Sequence, residues 1–372
     1  MTSRHTGRLL ALGLVGVGAY NWRLWQRDKL LAARQRGEWA PAPVLVRTPK
    51  VSVLVAAWNE RERIDAHIRS FLALTYPDIE LILCAGGADD TLERARRYAS
   101  ERVVVLEQRP REGKQRALAR CLACASGEVI YLTDADCIYL DEVLTRLLAP
   151  LIEKGEQAAT GGSRPLDEQL GKLLPGYLWA SDGVSSASRP NYSAGLLGRN
   201  AMITRQALDR IGGLNFPAPT GTDYQLAQRL IERGIAIRHV GASIVPSEYP
   251  ETLRAYRHKQ SRWLRNLLIY GRRYRAKHDL YVTLKTVAIG AAMLLVPLPA
   301  WAFSRGALAL WTLLVAHSAA SKLRYALFTA RLYGRRAPAR MLVGILPLTL
   351  IDFAIWALPI LDLLDPKKRD QW

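Results

Sequence analysis

At 372 residues with 49% hydrophobic side chains, the chain can hold one large domain or two ordinary ones, and its bulk composition is that of a globular protein. A formal net charge of +19 calls for a polyanionic partner or an anionic surface. The cysteines Cys84, Cys121, Cys124 and Cys137 show no secreted-disulfide pattern, and the lone CxxC has neither a second pair nor nearby histidines, so a disulfide scaffold is excluded and reduced thiols of a cytosolic domain are expected.

The first apolar run, Leu9–Leu24, is short for a membrane span, which needs roughly 20 residues. It lacks a small-residue cleavage site and reads as a retained anchor. Arg23, Arg27, Lys29, Arg34 and Arg36 overlap and follow it, and that cationic excess places the next domain on the cytosolic side. Pro41 and Pro43 mark a linker. Strands are then expected at Val51–Ala57, Ile79–Cys84, Val103–Leu106 and Val129–Thr133, with helices after Asn59, over Thr91–Ala99 and over Lys114–Ala125. Such alternation specifies an α/β fold with a mostly parallel sheet, whose ligands bind beyond the carboxyl ends of the strands. That rule predicts one cleft lined by residues just after Ala57, Cys84 and Thr133.

Farther along, Arg254–Lys277 is densely basic, has no acidic residue, and runs into an apolar segment. This placement favours anionic headgroups over nucleic acid. Three apolar stretches follow, Val287–Phe303, Gly306–Ala320 and Met341–Leu364. A loop with Arg324, Arg331, Arg335, Arg336 and Arg340 lies between the last two and is expected to be cytosolic. The third stretch carries Pro347, Asp352, Pro359 and Asp362, so it is either a span facing protein or a bent re-entrant or interfacial element.

Within the α/β region, Thr133-Asp134-Ala135-Asp136 closes the fourth strand. Carboxylates two apart on an extended chain face the same way and can grip a hard divalent cation, unless they are only a solvated turn. Gly221-Thr222-Asp223 opens an amphipathic helix, where Thr222 or Asp223 is an N-cap or Asp223 is a general base. Lys114 follows Gly113 at a helix start, where a cation and backbone N–H groups can meet phosphate. Arg262 suits a diphosphate, while Trp263 suits sugar stacking or a membrane interface.

The order Ala56-Ala57-Trp58-Asn59-Glu60, Gly113-Lys114, Asp134-Ala135-Asp136, Gly221-Thr222-Asp223 and Arg262-Trp263 resembles the family 2 glycosyltransferases, over about Val51 to Tyr270. The resemblance implies a Rossmann-like nucleotide-sugar-binding domain of GT-A type with α-helical transmembrane segments. It implies an inverting transferase that uses a nucleotide-sugar, UDP by default, with Mn²⁺ or Mg²⁺. By similarity Asp136 and Asp134 hold metal, and Ala57, Asn59, Glu60, Asp89, Lys114, Asp134 and Arg262 bind donor. Asp223 is the base, with Trp263 and Thr222 on the acceptor side. The expected divisions are 1–45, anchor and linker; 46–250, cytosolic transferase; 251–278, basic interfacial helix; and 279–372, membrane region. A multi-pass protein of a bacterial inner membrane is expected, acting on a lipid or glycan acceptor among anionic lipids, with no nucleic-acid partner.

Three departures stand out. Cys84-Ala85-Gly86-Gly87 replaces the usual Asp-Asp-Gly that reads the base, although Asp89 and Asp90 are close by. Thr222 replaces a carboxylate before the catalytic aspartate, and Lys259 stands where Gln is usual. One amino-terminal run and two or three later ones suit a lipid transferase better than a processive polysaccharide synthase. A nucleotide-sugar-binding regulator is the non-enzyme alternative.

Overall fold

The computed structural model describes residues 3–39, 41–218, 220–297 and 304–364. Leu298–Phe303 of the first carboxyl-terminal apolar stretch lies outside the described residues, as do the side chains of Pro359 and Asp362. The chain divides into two compact units. An α/β unit is formed by Pro41–Glu168 and Ser186–Glu248, and a helical unit by Met1–Ala40, Gln169–Ser185 and Tyr249–Trp372.

In the α/β unit the strands are β1 (Val51–Trp58), β2 (Ile79–Gly86), β3 (Val103–Glu107), β4 (Val129–Leu132), β5 (Ala158–Pro165), β6 (Tyr192–Ser193), β7 (Ala201–Thr204) and β8 (Ile237–Ser247). They form one sheet in the order β3-β2-β1-β4-β7-β5-β8-β6. The first four strands are parallel throughout, as the alternation of strand and helix requires. Beyond them the sheet is mixed: β7 runs antiparallel to β4 and β5, β5 and β8 are parallel, and β6 is antiparallel to β8.

Two apolar layers sandwich the sheet, which is why the parallel strands are apolar along their length. Val51, Val53 and Val55 of β1 pack with Ile64, Ile68 and Phe71 of α2 (Ile64–Leu72) and with Leu144, Leu147 and Leu148 of α5 (Asp141–Glu153). Leu54, facing the other way, packs with Leu118 and Cys121 of α4 (Gly113–Cys124) and with Leu226 and Leu230 of α8 (Thr222–Glu232). The short helices α3 (Thr91–Arg96) and α7 (Arg205–Arg210) complete the unit. Cys84, Cys121 and Cys137 are buried free thiols, while Cys124 is exposed and free.

The helical unit contains α1 (Ser3–Glu38), most of α6 (Leu173–Ala187), α9 (Leu253–Arg273), α10 (Lys277–Leu295), α11 (Arg305–Leu332) and α12 (Ala339–Leu364). Contacts between α1 and α11 climb together along both helices. Gly13 abuts Leu313, Asn21 Nδ2 is 3.2 Å from His317 Nδ1, Arg324 pairs with Asp28 at 2.7 Å, and Trp39 stacks near Tyr333. The two helices are therefore parallel, and their basic carboxyl-terminal turns share one end of the unit.

Asp352, the carboxylate flagged as costly in the third apolar stretch, faces protein. It is fully buried on α12 and accepts hydrogen bonds from the hydroxyls of Tyr177 on α6 (2.7 Å) and Tyr256 on α9 (2.6 Å). Lys322 of α11 completes the cluster with an ion pair at 3.3 Å. Among the described residues, Lys277–Leu295 and Ala339–Ala357 are long and apolar enough to cross a membrane. The runs Leu9–Leu24 and Gly306–Ala320 form parts of the long helices α1 and α11, which fall short of that mark.

Candidate active site

The site is built where β1, β2 and β4 end. After Trp58 the chain turns sharply at Asn59, which adopts a left-handed conformation (φ 59°) that asparagine tolerates. Its Oδ1 accepts the Ala88 N–H at 2.7 Å, tying the end of β1 to the loop after β2. Gly87 (φ +138°) lies beneath, and any Cβ there would fall 2.3 Å from that oxygen. Asp89 continues the lacing: it accepts the Thr91 N–H (3.1 Å), the Thr91 hydroxyl (2.5 Å) and the Arg61 N–H (3.3 Å). Thr91 Oγ1 in turn accepts the Glu60 N–H at 2.8 Å. Asn59 and Asp89, expected as donor contacts, thus also brace the loops that present Glu60.

Ala57 is not presented at this mouth. It is fully buried in β1, because a methyl at that register packs into the core, and Trp58 is the exposed residue at the strand's end. Cys84 and Ala85 are likewise buried inside β2, which continues to Gly86.

Beyond β4 the carboxylates do not lie on an extended chain, as the two-residue spacing had suggested. The backbone turns at Ala135–Asp136, and the Cys137 N–H returns to the Asp134 carbonyl at 3.1 Å. Thr133 Oγ1 donates to the Arg199 carbonyl at 2.9 Å. Behind the turn, His67 of α2 is fully buried between the Cys137 carbonyl (2.8 Å from Nδ1) and the Tyr139 hydroxyl (2.9 Å from Nε2). A carbonyl only accepts, so Nδ1 carries the proton and Nε2 accepts from Tyr139. Burial holds this imidazole neutral, down to about 4.

Lys114 opens the first turn of α4 and makes a short ion pair with Asp134 Oδ1. Burial alone would lower its ammonium, but the Asp134 carboxylate, with Asp223 beyond it, holds it above the ordinary lysine range. Arg199 Nε lies 3.7 Å from Asp134 Oδ2, and its Nη1 donates to Ser247 Oγ. Burial pushes Glu60 up to about 8, helped by the negative charges of Asp136, Glu248, Asp134 and Asp89.

Helix α8 begins at Thr222, and its N-cap is Gly221 in a left-handed conformation (φ 61°), with no side-chain cap. Asp223 is therefore not the N-cap residue; it sits in the first turn, half-buried, and accepts the Tyr224 N–H at 2.9 Å. A carboxylate is stabilised there by the helix N-terminus. Gly198 makes room for it: a Cβ on that glycine would be 3.0 Å from Asp223 Cβ. The Thr222 hydroxyl is buried with no hydrogen-bond partner among the described residues.

The α/β unit thus gathers Glu60, Asp89, Lys114, Asp134, Asp136 and Asp223 into one electrostatic neighbourhood. Arg262 and Trp263 lie on α9 of the helical unit, where Trp263 is exposed and Arg262 half-buried. Sequence reasoning missed Arg199, Glu248 and His67. None of the three stands in the motifs that carry the family resemblance. Among the described residues no three His, Cys, Asp or Glu side chains form a metal-ligand group. The arrangement suits a ligand with both anionic and cationic character, such as a diphosphate with a hard cation.

Two family models match the chain: "Glycosyl transferase family 2" at residues 52–212 and "Glycosyl transferase family group 2" at residues 177–327. The chain belongs to the family 2 glycosyltransferases. It is 27% identical over 197 residues to the Escherichia coli UDP-Glc:alpha-D-GlcNAc-diphosphoundecaprenol beta-1,3-glucosyltransferase WfaP, covering 51% of this chain and 73% of that protein. It is also 27% identical over 235 residues to the beta-monoglucosyldiacylglycerol synthase of Trichormus variabilis, covering 58% of this chain and 48% of that protein. Among solved structures, the mannosyltransferase PcManGT from Pyrobaculum calidifontis, in complex with GDP-Man and Mn²⁺, superimposes with a TM-score of 0.53 at 20% identity. That match covers 95% of this glycosyltransferase and 99% of the other chain, and it bears out the expected α/β transferase fold.

Proposed function

We propose that this glycosyltransferase moves a sugar, with inversion, from a nucleotide-sugar to a lipid or lipid-linked acceptor at the cytosolic face of a membrane. The observation that carries this reading is the convergence of Lys114, Asp134, Asp136 and Glu60 at the strand ends with Asp223 on the first turn of α8. Inverting transfer needs a base on the acceptor side and charge neutralisation of the leaving diphosphate. Asp223 fits the base, since its carboxylate is half-buried and lies in the field of Lys114, with Oδ1 held by the Tyr224 N–H. Lys114 and Arg199 fit the diphosphate.

A divalent ion also fits. Asp134 and Asp136 are hard oxygen ligands, and the negative charge that raises Glu60 is what a cation relieves. When bound, Mn²⁺ or Mg²⁺ would neutralise charge on the leaving diphosphate. Trp58 offers an exposed aromatic face at the end of β1 for a nucleotide base, in a chain that lacks the usual Asp-Asp-Gly. UDP is the default nucleotide; PcManGT holds GDP-Man.

The lipid acceptor is supported by the names of the two relatives, one acting on a GlcNAc-diphosphoundecaprenol and one a monoglucosyldiacylglycerol synthase. A multi-pass arrangement is supported by the apolar helices α10 and α12 and by the parallel packing of α1 and α11. That packing brings the arginines of both carboxyl-terminal turns to one end, which fits a cytosolic side facing anionic lipids.

The deciding experiment is nucleotide release by the full chain in native-like lipid with Mn²⁺ or Mg²⁺, across UDP- and GDP-sugars, beside Asp223→Asn. Release with one donor, raised by a lipid extract and lost in the variant, supports the reading. A polymer product insensitive to added lipid would overturn the acceptor assignment in favour of a processive synthase.

A further inference from the structure

Asp134, the first carboxylate of the Asp-Ala-Asp turn, is already neutralised by cations of its own chain. Its Oδ1 holds the Lys114 ammonium and its Oδ2 faces Arg199 Nε at 3.7 Å. Both cations are held in place rather than solvated, with side-chain exposures of 26% and 15%. Lys114 is packed at the first turn of α4, and Arg199 is anchored through Ser247 Oγ. The second carboxylate, Asp136, receives the Cys137 thiol at 3.4 Å.

This arrangement is poor for a divalent ion arriving alone. Such an ion prefers about six oxygens and commonly takes one or two carboxylates plus substrate phosphates. Here two positive charges already lie against Asp134, and among the described residues no group of three His, Cys, Asp or Glu side chains is arranged to hold a metal ion. A diphosphate reverses the balance. Its oxygens attract both cations and also supply ligands that the turn does not.

We propose that Lys114 and Arg199 form an exchange pair: they hold Asp134 until the donor's diphosphate draws them away, so that the divalent ion binds together with the donor and not ahead of it. This rests on the nucleotide-sugar reading of the site given above, and it makes Arg199 a donor-binding residue. Because binding couplings are reciprocal, the nucleotide must tighten metal binding by the same factor as the metal tightens nucleotide binding.

The test is Mn²⁺ binding to the full chain in lipid nanodiscs, read from the free-ion electron paramagnetic resonance signal, with and without UDP or GDP. Wild type should bind Mn²⁺ weakly alone and about ten-fold or more tightly with nucleotide, within the usual span of such couplings. Lys114→Met and Arg199→Gln should each bind Mn²⁺ alone more tightly than wild type, bind nucleotide more weakly, and lose most of the coupling. A merely structural role would weaken both. Thermal unfolding of each variant identifies misfolding, and the two variants act independently, so failure of one leaves the other informative. Unchanged or weaker nucleotide-free Mn²⁺ binding in folded variants overturns the exchange. If wild type binds neither nucleotide, with or without Mn²⁺, the nucleotide-sugar reading itself fails, and the exchange with it.

Discussion

Asp223 and Glu60 show how position gives ordinary carboxylates different chemistry. Asp223 stands on the first turn of α8, and general-base catalysis typically contributes about 10²–10⁴-fold. Asp223→Asn is expected to lower kcat by about that factor while donor affinity stays within about two-fold, a split that turnover and equilibrium binding measure separately. Near-normal turnover would remove Asp223 from the base role. Glu60 behaves differently because burial and four neighbouring carboxylates keep its proton on up to about 8, against an ordinary value of 4.5. Between those values the folded state binds more protons than the unfolded chain, so this group's contribution to stability falls as pH rises through the window. Glu60→Gln should therefore raise the melting temperature at pH above about 8 and leave it nearly unchanged near pH 4.5. Equal effects at both ends, followed by circular dichroism, would contradict that account. His67 has the opposite sign. Its depressed value, about 4 against 6.5, makes the folded state lose stability as pH falls through that range, and His67→Gln should flatten this part of the profile.

Among the elements, the turn after β4 and the helix cluster at Asp352 each depend on partners far away in sequence. The Asp134–Asp136 turn is held from below by α2, through His67, and from the side by β8, where Cys137 bridges to Ser247. The type of each strand and helix up to β4 was readable from apolar runs and turn residues, and the boundaries agree to within a few residues. The mixed half of the sheet was not readable, since β6 and β7 have only two and four residues and take their direction from neighbours. Asp352 was legible as an expense but not as a solution. Its partners Tyr177, Tyr256 and Lys322 come from three other helices. Removing one member of such a buried pair commonly costs about 3–5 kcal/mol. Asp352→Ala should lower the melting temperature sharply, and adding Lys322→Met should recover much of the loss, because no uncompensated ammonium then remains. A double variant no more stable than Asp352→Ala alone would show that the ion pair is not the main term.

At the scale of the whole molecule, charge and apolar surface are segregated. The basic stretch Arg254–Lys277 and the basic ends of α1 and α11 account for much of the net charge of +19. If they meet anionic headgroups, each cation contributes on the order of 1 kcal/mol near the surface. Activity should then rise in vesicles with anionic lipid relative to zwitterionic ones, and fall as salt approaches about 0.5 M, where charges more than a few ångströms apart are screened. Indifference to both lipid charge and salt would leave the basic surface without this role. Trp263 is exposed on α9, and Trp263→Ala should alter acceptor dependence while sparing donor binding.

By itself the sequence determined the fold class, the family and the candidate metal, base and phosphate residues. Each of these is written in local patterns: apolar periodicity, strand-to-turn punctuation, and short motifs in a fixed order. Only the tertiary structure decided that Ala57 is buried while Trp58 is exposed, that the N-cap of α8 is Gly221, that α1 and α11 run parallel, that Arg199 and His67 belong around the Asp-Ala-Asp turn, and that Glu248 acts on Glu60. The physical reason is that charge interactions and burial depend on distance in space. The groups that face Asp134 and keep the proton on Glu60 come from different strands, loops and helices, between about 20 and 190 residues apart along the chain.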